Sequence, residues 1–172
     1  MKNLITIITL FITTFVSAQT KLDSLVFVKV NEYRTSLSLN KVEFDIVSYK
    51  AADNQASYLF KYDSIIGHSQ NNIGFETPNK RYIYFGGNER ASTAEVCNSV
   101  DTNLKVDNDM YLDNLAKLIV DAWKGSFEHN RILIDPKYKF AGISTKVKNI
   151  STGVKTWTHY DIKSTMVFTT MK

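Results

Sequence analysis

The sequence predicts an α+β domain, with helices in its first part and a sheet in its last. Three observations lead there. Apolar residues recur at helical spacing over 22–37, over 46–61 and from Asp107 to Gly125. The stretches Phe140 to Val147, Val154 to Tyr160 and Lys163 to Thr169 are rich in β-branched and aromatic residues, with Asn149 to Gly153 as a turn between the first two. Between the helical and the strand-like parts, 63–106 holds Gly67, Gly74, Pro78, Gly86 and Gly87, which is loop chemistry. The most economical arrangement is a sheet covered by helices.

The chain starts with an expected export signal. Lys2 supplies the positive start, Leu4 to Val16 is an apolar stretch diluted by threonines, and Val16-Ser17-Ala18 before Gln19 fits a small-residue cleavage site. That apolar run is shorter than the roughly 20 residues a membrane-spanning helix needs. Residues 1–18 are therefore expected to be removed, leaving a single domain over 19–172 with no transmembrane segment.

Composition narrows the function. With 44% hydrophobic and 12% aromatic residues the chain is a folded globule, not a disordered one. Removing residues 1–18 takes away Lys2 and no acid, lowering the formal charge from +4 to +3. No lysine or arginine run is dense enough for a nucleic-acid stripe, so nucleic acid is excluded as a partner. The single cysteine, Cys97, excludes an internal disulfide framework. It is either buried filler or, two residues from Glu95, a thiolate ligand or nucleophile.

Element by element, Leu22, Val26, Val30, Tyr33 and Leu37 form the apolar stripe of the first helix, with Asn31, Glu32 and Arg34 between the core positions. In the second, Val47, Ala51, Tyr58, Leu59 and Tyr62 follow a similar stripe, and alanines at 51, 52 and 56 permit close packing. The third is capped by Asp107-Asn108-Asp109, presents Leu112, Leu115, Ile119, Ala122 and Trp123, and ends near Lys124-Gly125. Beyond it, Trp123-x-x-Ser126-x-x-His129 would put three side chains on one side of a helix. Gly125 weakens that helix, so a turn carrying Ser126 and His129 is an equal alternative. Pro136 marks a later break.

His68, Glu95 and His129 are the candidate site residues. Two imidazoles and a carboxylate suit zinc with an open coordination position, or acid–base work. Glu95 could accept a proton, bind metal or orient a histidine; its structural alternative is a buried carboxylate tying down the long loop. His159 is read as an exposed or satisfied strand residue and Trp123 as core.

These residues carry a resemblance. Asn31-Glu32-Tyr33-Arg34, Ala51 to Tyr58 with Ala56, His68-Ser69 and Ala94-Glu95-Val96 resemble successive motifs of the CAP superfamily (cysteine-rich secretory, antigen 5 and pathogenesis-related proteins). Trp123, Ser126, His129, Asp135, Pro136 and Tyr138 match, without a gap, a signature of its bacterial secreted branch, Trp-x-x-Ser-Pro-Gly-His-Arg-x-Asn-Ile-Leu-Asp-Pro-x-Tyr. Ala141-Gly142-Ile143 and Thr165-Met166-Val167-Phe168 resemble its last strands. The resemblance implies an α–β–α sandwich with a mainly antiparallel sheet and a central cleft lined by His68, Glu95 and His129. Many eukaryotic members add a second glutamate, where this chain has Ser126; Ala94 and Val96 replace a glycine and an asparagine. The expected function is a secreted or periplasmic binding module for an extracellular protein, lipid or small molecule. The alternatives are a metal-dependent hydrolase or peptidase, with Zn2+ on the histidines and Glu95 activating water, and a carrier of lipid or a small hydrophobe.

Overall fold

The computed structural model describes residues 20–62, 67–103, 109–150 and 159–172. The expected leader, the caps at Asp107 and Asn108 and most of the Val154–Tyr160 strand lie outside them. Helix α1 (Lys21–Ser36) starts at a capping box, in which Thr20 accepts from the Asp23 amide and Asp23 accepts from the Thr20 amide. The buried Asp23 carboxylate also accepts from the Thr145 amide at 2.7 Å and hydroxyl at 2.6 Å, so the cap anchors the helix to a strand. Burial raises the Asp23 carboxyl above its usual range, although those hydrogen bonds pull it down.

Of the three residues read as lying between core positions of α1, Glu32 is exposed, but Asn31 and Arg34 are buried. Asn31 exchanges both amide hydrogen bonds with the backbone of Val42. Arg34, 1% exposed, donates to the carbonyls of Asn40, Leu133, Asp135 and Tyr138. Hydrophobic periodicity cannot place such residues inside, because their burial depends on backbone groups outside the helix, at Val42 for Asn31 and as far away as Tyr138 for Arg34.

Strand β1 (Glu43–Phe44) leads into α2 (Ile46–Tyr62), where the buried Asp45 carboxylate accepts from the Ser48 amide and hydroxyl. Ser48, Tyr49, Ala51, Ala52, Gln55, Ala56 and Leu59 form the buried face of α2. The expected stripe is rotated at its end, and Tyr62 stays exposed.

The segment expected as a loop, 63–106, contains two regular elements. Helix α3 (Pro78–Tyr84) is capped by Thr77, and Pro78 occupies the first turn, where its missing N–H costs nothing. Strand β2 (Thr93–Thr102) follows. Its alternation sends Val96 to one face of the sheet and Glu95 and Cys97 to the other. Polar residues on the second face hide the strand from a hydrophobicity pattern, since their partners come from elsewhere in the chain.

Helix α4 (Asp109–Gly125) ends before a separate short helix, α5 (Phe127–Leu133), with Ser126 as its N-cap. Among the described residues, strands β3 (Phe140–Asn149) and β4 (Tyr160–Thr169) complete a four-stranded sheet of order β1-β3-β4-β2. Two of the pairings are antiparallel; the short β1–β3 pairing is parallel, so the sheet is mixed.

Val96, Ile143, Met166 and Phe168 face the larger core, with Val26 and Val30 of α1 and Leu115, Ile119 and Trp123 of α4. Val167 faces the other way, against Ala51, Ala52 and Tyr82. The architecture is the α–β–α sandwich. Gly142 sets the spacing of the α2 layer: a Cβ there would overlap the Tyr49 amide nitrogen and Cα and lie 2.6 Å from the Ser48 carbonyl carbon. Backbone cannot swing aside as a side chain can. Gly142→Ala is therefore expected to destabilise by about 3 kcal/mol through overpacking, read as a lowered urea midpoint with unchanged slope.

Candidate functional site

The site is assembled at one end of the sheet from β2, α3, the loop before α3, and α5. Glu95 and Cys97, two apart on β2, share a face. Arg81 comes from α3 with a side chain 0% exposed, and its Nη2 donates to Glu95 Oε2 at 2.6 Å. The same guanidinium donates to the carbonyls of Phe75 at 2.8 Å and His68 at 3.2 Å, pinning the loop. Gln55 and Gln70 support it from α2 and the loop, with Gln55 donating to the Gly67 carbonyl and Gln70 donating to Gln55 and Asn54.

That scaffold presents His68. Its Nδ1 lies 3.0 Å from Glu95 Oε1, and its side chain is 46% exposed, whereas that of Glu95 is fully buried. Glu95 Oε1 also accepts from the Cys97 thiol at 3.4 Å. Both Glu95 oxygens are thus engaged, one by a guanidinium and one by an imidazole and a thiol. Burial is the main reason the Cys97 thiol is pushed well above its ordinary value, and the Glu95 carboxylate adds to the rise.

His129 rides the first turn of α5, where its amide points at the Ser126 hydroxyl. Its ring meets that of His68 edge to face, with centroids 6.0 Å apart. Partial burial, then the neighbouring His68, lower its pKa, with Glu128 opposing, so the imidazole is neutral at neutral pH. Trp123 is buried in the core beside α1, and His159 is exposed immediately before β4.

The three expected site residues therefore do converge, as two linked pairs: His68 with Glu95, and His68 with His129. The sequence reading missed Arg81, whose only local signal is the Thr77-Pro78 helix start. Cys97, expected as buried filler ahead of a ligand or nucleophile, is buried.

Comparison with known proteins identifies the family and the fold. The description "Cysteine-rich secretory protein family" (CAP) matches residues 27–158. The chain belongs to the CAP family. The CAP fold is shared with solved structures. An outer surface protein from Borrelia burgdorferi superposes with a TM-score of 0.59 at 21% identity, over 90% of this chain and 97% of that one. An extracellular protein containing an SCP domain, from Bacillus anthracis, gives a TM-score of 0.56 at 14% identity, over 86% of this chain and 39% of that one. No curated protein matches. Among the described residues of this CAP protein, no helix is long and apolar enough to cross a membrane.

Proposed function

We propose that this CAP protein is exported through the leader at 1–18 and works outside the cytoplasm as a single domain, 19–172. In this reading His68 and His129 form a polar cleft that binds an extracellular ligand. One observation carries it: Glu95 has both oxygens engaged inside the protein, so it organises His68 and the loop and is not free to activate water. A partly exposed imidazole pair, His68 on a pinned loop and His129 on α5, is a recognition surface; a general base with both oxygens already engaged is a poor catalyst.

A metal-assisted role is the second reading. Glu95 on Nδ1 leaves His68 Nε2 as the outward nitrogen, the orientation a carboxylate imposes on a zinc-bound histidine. With the neutral His129 it would supply two ligands for Zn2+, and a zinc ion held there would act as a Lewis acid. Ser126 is committed to capping α5, so the set stops at two. For the carrier alternative, one shallow hollow of about 410 Å³ is lined by Ile73, Gly74, Ile83 and Tyr84 with Glu76 and Lys80, and is built without the histidine pair.

The discriminating experiment places a photo-crosslinker at Ser69, which is exposed beside His68, and exposes the protein to envelope and medium fractions. The expected result is a defined adduct that falls about tenfold in a folded His68→Ala/His129→Ala variant. An adduct indifferent to that change would overturn the cleft reading. So would substrate turnover by the wild type that Glu95→Gln abolishes while folding is intact, because the enzyme reading would then replace it.

A further inference from the structure

The binding reading uses the outward side of His68. Its inward side faces a second set of donors. His68 Nδ1 and Glu95 Oε1 are 3.0 Å apart, Cys97 Sγ and Glu95 Oε1 3.4 Å, and Cys97 Sγ and His68 Nδ1 3.7 Å. A tetrahedral zinc ion with bonds of about 2.0–2.1 Å to nitrogen and oxygen and about 2.3 Å to sulfur would separate its ligands by roughly 3.3 Å for N and O, and roughly 3.5 Å for either with sulfur. Each side of the observed triangle lies within about 0.3 Å of those edges.

We propose that His68 Nδ1, Glu95 Oε1 and Cys97 Sγ form a three-donor site for a thiophilic divalent cation such as zinc. The site is built, not incidental. Arg81 fixes Glu95 through its other oxygen, the strand fixes Cys97 relative to Glu95, and the pinned loop fixes His68. Thr165, directly opposite Cys97 on β4, brings its hydroxyl to 3.5 Å from the sulfur and can donate to a thiolate there. Glu95 and Cys97 are buried, so an ion enters past the partly exposed His68, and solvent on that side supplies the fourth ligand.

On loading, the Cys97 thiol releases its proton to solvent as the sulfur–metal bond forms. His68 takes the tautomer with its proton on Nε2, and the His68–Glu95 and Cys97–Glu95 hydrogen bonds are replaced by coordination. No electrons are transferred. Arg81 remains on Glu95, so the carboxylate bridges two cations. This site needs Cys97 and not His129, which separates it from the histidine-pair reading above.

Cobalt(II) titration of the reduced protein tests it. Cys97 is the only cysteine in the chain, so a thiolate-to-cobalt charge-transfer absorption has one source. The expected result is such a band, saturating at one equivalent. It should be lost in Cys97→Ser, weakened at least about tenfold in His68→Ala, and retained in His129→Ala. Zinc-edge X-ray absorption on the wild type needs no variant and should show one sulfur neighbour at about 2.3 Å. Absence of the band, or a shell of nitrogen and oxygen alone, would overturn the site. Cobalt binding that survives Cys97→Ser and disappears in His129→Ala would overturn it too, assigning the ion to the histidine pair.

Discussion

Arg34→Met is expected to lower the unfolding free energy by about 3–5 kcal/mol, among the largest effects of any single substitution in this chain. Arg34 stands at the end of α1 and is 1% exposed. It donates to Leu133 at 2.6 Å, Asn40 at 2.9 Å, Asp135 at 3.2 Å and Tyr138 at 3.3 Å, all through backbone carbonyls. Methionine fills similar space but takes the donor from the buried Leu133 and Tyr138 carbonyls, each costing about 1–3 kcal/mol when unsatisfied, while Asp135 keeps the Tyr138 amide and Asn40 is exposed. Burial lowers the guanidinium pKa, while the charge of Asp135 partly restores it. Arg34→Lys should recover less than half of the loss, because a compact ammonium cannot reach carbonyls spread around a planar fork. Urea unfolding of the two variants beside the wild type measures both values. A loss below about 1 kcal/mol for methionine would show that water takes over the carbonyls.

The consequence reaches the histidine pair. Leu133 to Tyr138 is the segment leaving α5, the helix that carries His129, so Arg34 fixes the exit of that helix against α1. The Tyr33 hydroxyl, one position earlier, donates to Asn130 on α5 at 2.9 Å. One end of α1 therefore orients His129 without touching it. Loosening it should widen the range of His129 positions before the sheet itself unfolds.

The parts of the fold legible in the sequence are those whose burial is repetitive. The apolar repeat of α1 and of α4, and the β-branched content of β4, supply residues to one continuous apolar core, so a period is enough to find these elements even where single polar positions interrupt it. Strand β2 was hidden for the opposite reason. One of its faces carries Glu95 and Cys97 and is satisfied by Arg81, His68 and Thr165, three partners from three other elements. Helix α3 was hidden by its brevity, since seven residues hold too few turns for a period to show. In the site, His68, Glu95 and His129 were found by residue type and by family spacing. Arg81 was not, because an arginine in a polar stretch looks like a solvated one until its carboxylate partner is placed beside it.

That partnership gives the second large effect. Arg81→Met is expected to cost about 3–5 kcal/mol, because it leaves the Glu95 carboxylate buried without its cation. Arg81 and Glu95 side chains are each 0% exposed and meet at 2.6 Å, so neither water nor salt screens them. Glu95→Gln keeps the shape but removes the charge opposite Arg81, and should cost about 2–4 kcal/mol. In Arg81→Met/Glu95→Gln no unpaired charge remains, and the loss should fall short of the sum of the single losses by at least about 2 kcal/mol. Strict additivity in that cycle would show the pair to be energetically inert. The coupling also separates the roles of Glu95. Arg81 holds the carbonyls of Phe75 and His68 as well as the carboxylate, so removing it frees the loop even where the charge problem has been solved. The double variant should therefore regain stability but not ligand binding at His68, the outcome that distinguishes a carboxylate organising a recognition loop from one that merely stabilises the core.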